Sequence, residues 1–187
     1  KIHTFTGPGT FCVSNGGNAV GSNEVSYLVI AGGGGGANNR GGGGGAGGYR
    51  EGKTPQCTPW TASPADSGSG VPVTAQGYPI TVGAGAAGKP NRPGDSGSNS
   101  IFSTITSAGG GFGGYNPSPT PGAGGSGGSG GGGGYPNLAG GAGNTPPVSP
   151  PQGNDGGTSN STNSGSGGGG AGATGGASSN CTAGNGG

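Results

Sequence analysis

The sequence predicts a mainly β and irregular fold: a small β-rich base carrying packed polyglycine-II helices, with essentially no α-helix. Three observations predict it. The chain has 187 residues, of which 58 are Gly and 16 Pro, with 25% hydrophobic and 6% charged, so an ordinary apolar core is out of reach. Its few β-branched and aromatic runs are short and lie between the glycine runs. Inside those runs, side chains recur at every third position.

Ile2–Thr6 and Thr10–Val13 flank the turn former Gly7-Pro8-Gly9, which predicts a hairpin. Residues 25–30 alternate, with Val25, Tyr27 and Val29 on one face and Leu28 and Ile30 on the other. Ile80–Val82 is a third strand. Residues 101–106 form a fourth, with Ile101 and Ile105 on one face and Phe102 on the other. Gly and Pro interrupt every window long enough for a helix. No aliphatic run follows Thr106, so we divide the chain into a β-rich base, 1–108, interrupted by glycine runs, and a glycine-rich polyglycine-II region, 109–187.

The three-residue phase is read in Ala31, Ala37, Arg40, Ala46 and Tyr49, in Ala123, Ser126 and Ser129, in Ala139 and Ala142, and in Ala171, Thr174 and Ala177. A polyproline-II-type backbone makes three residues per turn, so such a segment has one decorated face and two bare ones. Bare backbone can hydrogen-bond to its neighbours. Composition alone is that of a flexible linker. The strands and the phase point instead to ordered glycine, with 31–48, 122–134 and 165–177 extended and hydrogen-bonded between segments.

Chemistry-bearing residues are sparse. His3 is the single histidine, and Glu24, Glu51, Asp66, Asp95 and Asp155 are scattered, so no acid–base pair is visible and no enzymatic activity is expected. Gly83–Lys89 mimics a phosphate-binding loop after a strand. Pro90, however, stands where a Mg²⁺-ligating hydroxyl belongs, and Asn91-Arg92-Pro93-Gly94 cannot start the helix. No cofactor is expected. Cys12, Cys57 and Cys181 lack metal-ligand spacing, so no metal site is expected either. A Cys12–Cys57 disulfide fits an oxidising environment, two free thiols a reducing one. The net charge of +1 is dispersed and gives no nucleic-acid stripe, and no apolar run reaches membrane-spanning length.

Ile2-His3-Thr4-Phe5-Thr6, then Gly9-Thr10-Phe11, then Val25–Val29 running into Ala31 and polyglycine, resemble the glycine-rich module of tailed-phage tail fibres and adhesins. So do Tyr78–Gly85 and Ser100–Thr106 leading into Gly109-Gly110-Gly111, while Cys57–Pro64 and Asn144–Val148 are similar to versions from marine phages. The resemblance implies a virion structural protein, located on the extracellular particle, whose partners are other virion proteins, copies of itself and a host surface glycan or protein. It lacks an initiating Met and stops at Gly187, which we read as one part of a longer fibre protein. Aromatic-bearing loops between glycine runs are the receptor-binding candidates: Tyr49 and Trp60 first, then Tyr115 and Tyr135. The same rings would serve as caps on the glycine packing. The alternative function is a self-assembling extracellular filament or matrix protein.

Overall fold

The computed structural model describes residues 1–17, 23–54, 63–90, 92–115, 122–160 and 162–187. Among these there is no α-helix; the fold is mainly β and irregular. Its strands are β1 (Gly9–Cys12), β2 (Glu24–Val25), β3 (Tyr27–Ile30), β4 (Tyr49–Gly52), β5 (Val71–Pro72), β6 (Gly77–Thr81), β7 (Ser100–Phe102), β8 (Ile105–Ser107), β9 (Ser159–Asn160) and β10 (Ser178–Ser179). A four-stranded antiparallel sheet has the order β1-β6-β7-β8, and three two-stranded pairs join β3 to β4, β2 to β5 and, in parallel, β9 to β10.

The expected alternation of 25–30 holds: Val29 is buried and Val25 and Tyr27 pack on the core, while Leu28 and Ile30 are exposed. Two other expectations do not. Residues 2–6 form no strand; β1 pairs instead with β6, Gly9 opposite Ile80 and Cys12 opposite Gly77. Residues 101–106 are two strands reversing at Ser103-Thr104, which places Ile105 opposite Phe102 and therefore on the same face. Ser103 takes φ 53° at the first loop position, a conformation that costs a side-chain-bearing residue about 1–2 kcal/mol. Ser103→Gly is expected to raise stability by up to about 1 kcal/mol, read as a higher thermal midpoint.

Val29, Val71, Val73, Tyr78 and Phe102 form the apolar core, with Phe11, Val13, Ile80 and Ile105 against it. Phe11 and Phe102 meet edge-to-face at 6.0 Å between centroids, a preferred aromatic geometry.

The rest is a glycine array. Among the described residues it comprises the segments 31–37, 41–48, 83–89, 94–99, 108–115, 122–127, 128–134, 138–144, 152–158, 164–170, 173–177 and 183–187, joined by backbone hydrogen bonds. The bonds step by three. Ala31, Gly34 and Ala37 donate to Gly48, Gly45 and Gly42, whereas Gly32 and Gly35 donate to Ser98 and Asp95 on a different neighbour. Gly42, Gly45 and Gly48 in turn donate to Gly114, Gly111 and Ala108. A partner that changes with each residue and returns every third is the signature of three residues per turn.

Segment 128–134 lies at the centre. It bonds to 108–115 (Gly111 to Ser129, Gly114 to Gly132), 122–127 (Gly131 to Gly125), 41–48 (Gly132 to Gly43), 138–144 (Gly141 to Gly131), 152–158 (Gly130 to Asn154) and 164–170 (Ser166 to Gly133). Six neighbours complete a hexagonal shell. Such contact requires glycine: a Cβ on Gly130, Gly131, Gly132 or Gly133 would lie under 3.0 Å from a neighbouring carbonyl.

The side-chain phase is partly as expected. Ala46, Ala123, Ser126, Ala139, Ala142, Ala171, Thr174 and Ala177 are exposed. Gly34 interrupts the first series because a Cβ there would strike the Gly111 carbonyl, and Ser129 is fully buried, its Oγ donating to the Gly47 oxygen at 2.9 Å. The division at 108 does not separate the hydrogen bonding, since 31–48 and 83–99 belong to the same array as 108–187.

Candidate binding surface

Connectivity gives the array two ends. Segment 31–37 leaves β3 and 41–48 returns into β4, so β3 and β4 mark a base and the turn 38–40 lies at the opposite, distal end. Gly42 is level with Gly114 and Gly132, which places residues 115 and 135–137 at that distal end. Gly133 is level with Gly157 and Ser166, and Gly184 with Gly165, which adds residues 159–160, 162–163 and 179–182. Asn39 (φ 50°), Arg40 (φ 65°), Asn137 (φ 54°) and Asn180 (φ 45°) make the reversals. Asn tolerates this left-handed region better than most residues.

The candidate aromatics separate. Tyr135 is half-buried at the distal end; its backbone N–H donates to the Arg40 oxygen at 3.1 Å, and the Arg40 guanidinium lies 5.2 Å from its ring centroid, within cation–π range. Tyr115 is also distal but only 3% exposed, exchanging backbone hydrogen bonds with Gly122. It packs rather than presents. Tyr49 lies in β4 at the base, its hydroxyl donating to Glu51 at 2.9 Å. Trp60 falls outside the described residues. So does Cys57, while Cys12 is exposed at the end of β1; Cys181 is exposed in a distal turn.

Gly83–Lys89, the phosphate-loop mimic, is an array segment. Ala86 donates to Gly33, and the Lys89 ammonium pairs with Asp95. Among the described residues no group of three or more His, Cys, Asp or Glu converges, and no helix is long and apolar enough to cross a membrane.

The base has its own chemistry. Ile2, Leu28 and Ile30 are exposed, at 92%, 56% and 54%. An open cleft of about 890 Å³ is lined there by Ile2, Phe5, Leu28, Ile30, Val82 and Ile101 among others. Tyr49, Glu51 and Lys53 also line it; Glu51 is buried against Lys53 Nζ at 2.7 Å, and also accepts from Ser63 Oγ at 2.7 Å and Tyr49. Burial pushes the Glu51 carboxyl up, but hydrogen bonds from Lys53, Ser63 and Tyr49 outweigh it and hold the group below its ordinary range. A depressed folded-state pKa gives stability that is present above the ordinary glutamate pKa and is lost as pH falls through the folded value. Glu51→Gln is therefore expected to lower the thermal midpoint near neutral pH. The deficit should shrink on acidification below the ordinary glutamate range; a deficit constant across pH would contradict this account.

A family model described as a glycine-rich domain matches residues 6–187. The chain belongs to this glycine-rich domain family. No curated protein and no solved structure matches it. As a glycine-rich domain, it departs from what composition suggests in having buried polar anchors that sequence reasoning missed. Gln152 is 1% exposed, accepting from Ala108 N–H at 2.8 Å and donating to the Pro146 oxygen at 2.9 Å. Ser159 and Ser178 are likewise buried and bonded to each other. An isolated Gln in a low-complexity stretch carries no periodic signal. In the sequence Arg40 stands out only as a member of the three-residue phase.

Proposed function

We propose that this glycine-rich domain is a structural component of a phage virion, a tail-fibre or fibre-tip module on the extracellular particle, whose distal turns contact a host surface glycan or protein. The observation that carries the reading is the segregation of its two ends. The base offers an apolar cleft with exposed Ile2, Leu28 and Ile30, suited to another virion protein, while the distal turns offer Arg40, Tyr135 and several Asn side chains. A stiff array between them holds each turn at both ends, so turn sequence can vary with little cost to the packing. The resemblance of the strand-to-polyglycine transitions to phage fibre modules supports the same reading.

Mass spectrometry of purified virions should find the chain. Particles carrying Tyr135→Ala should assemble normally yet adsorb to host cells at least several-fold more slowly, since aromatic anchors dominate many interfaces. Recovery from cell-derived fibres and not from virions would favour the extracellular filament or matrix protein instead.

A further inference from the structure

We propose that the turns 38–40 and 135–137 form a binding site for an anionic sugar, with the Arg40 guanidinium as the anion-contacting group and Tyr135 as its support. This rests on the reading of the distal end as the receptor-facing one and names the class of ligand.

The argument begins with the backbone. Arg40 stands at φ 65° beside Asn39 at φ 50°, where Asn or Gly would serve the turn with less strain. Arginine thus stands at a turn position whose backbone another residue would suit better, which directs attention to its side chain. That side chain is exposed, and among the described residues it makes no hydrogen bond or ion pair; it lies over the Tyr135 ring, 5.2 Å from the centroid. Three of the other five cations have partners: Lys53 pairs with Glu51, Lys89 with Asp95, and Arg50 reaches the Thr106 oxygen. Contact with a ring occupies no acceptor-bonded position of the guanidinium, so its N–H donors remain available to a carboxylate or phosphate, which a guanidinium can grip through two parallel bonds.

The surroundings fit. The Tyr135 N–H to Arg40 oxygen bond ties the two turns together, which keeps the backbones that carry ring and cation side by side. Asn38, Asn39 and Asn137 are exposed beside it, and amides of this kind donate to and accept from sugar hydroxyls. Lys89 is level with Ala37, and the distal residues 38–40, 90, 92–93, 135–137, 159–160, 162–163 and 179–182 contain Arg40 and Arg92 and no Asp or Glu. The nearest carboxylate in sequence to these turns, Asp95, is engaged by Lys89. An anion approaching this end therefore meets cationic and amide groups without a competing carboxylate.

The test is calorimetric titration of the whole chain with three oligosaccharides: a uronic acid oligomer, a sugar phosphodiester oligomer and a neutral dextran. We expect at least one anionic oligomer to bind, with affinity falling as salt rises, and the dextran not to bind. Which anionic arm binds distinguishes carboxylate from phosphate. Arg40→Asn should lower that affinity at least ten-fold while leaving the thermal midpoint unchanged or higher, because Asn suits the turn. Tyr135→Ala should weaken binding less. Binding of dextran as tightly as the anionic oligomers, unchanged affinity in Arg40→Asn, or no binding by any oligomer would overturn the proposal. If adsorption of virions falls in Tyr135→Ala while no anionic oligomer binds the chain, the receptor-facing reading stands and the anionic ligand is wrong.

Discussion

Gly131→Val is expected to abolish the native fold, whereas Ser126→Val, five residues away, leaves it intact. Gly131 sits in the fully surrounded segment; it donates to Gly125 and accepts from Gly141, and a Cβ would overlap the Phe112 carbonyl. Backbone cannot give way as the end of a long side chain can, so two or three neighbouring segments must separate. Each broken backbone bond removes about 0.5–1.5 kcal/mol net, and any group left buried without a partner costs about 1–3 kcal/mol more. Several such losses consume the 5–15 kcal/mol by which a domain of this kind is stable, an interval that is itself roughly general. Ser126 is exposed on the decorated face; its Oγ accepts from Ala142 N–H at 3.2 Å, and that amide is close to solvent. Thermal melts and amide spectra of the two variants check the contrast. Equal tolerance would mean that the three-residue phase has no structural role.

Gln152→Ala is the second large effect. Its side-chain amide is the partner of Ala108 N–H and the Pro146 oxygen, and its backbone accepts from Tyr49 N–H at 2.8 Å and donates to Asn144 Oδ1 at 3.3 Å. It joins β4, the start of 108–115 and the loop 145–151 at the base. Truncation leaves the buried Ala108 donor without its partner, at about 1–3 kcal/mol, while Pro146 is exposed and water can replace the amide at its oxygen, so a loss of roughly 1–3 kcal/mol is expected in denaturant unfolding. A loss under about 1 kcal/mol would mean that water replaces the amide at no cost.

The sequence reveals those features whose cause is local. Alternation in 25–30 is visible because burial of Val29 and exposure of Leu28 and Ile30 follow from a period of two. The decorated positions Ala139, Ala142, Ala171, Thr174 and Ala177 are visible because their segments face outward there and a Cβ meets solvent. What failed depends on distant partners. The Gly7-Pro8-Gly9 turn suggests a local hairpin, yet β1 finds β6 about seventy positions along the chain, a pairing no window can contain. Ser129 continues the phase of Ser126 but is buried, because the chain bends at 127–129 and enters the centre of the array. Tyr115 reads as a loop tip because 116–121 follows it, yet it is buried and its backbone pairs with Gly122. The distal pairing of Arg40 with Tyr135 joins residues nearly a hundred positions apart and needs the array to bring them together.

Native-state amide hydrogen exchange at single-residue resolution tests the array most directly. The amides of Gly130, Gly131, Gly132 and Gly133 all donate to neighbouring segments and are buried, so they should exchange only through global unfolding, as the most protected core amides do. Gly172 and Gly186, exposed and with open space around them, should exchange near the rate of an unstructured chain. Uniformly fast exchange across 128–134 would contradict the account.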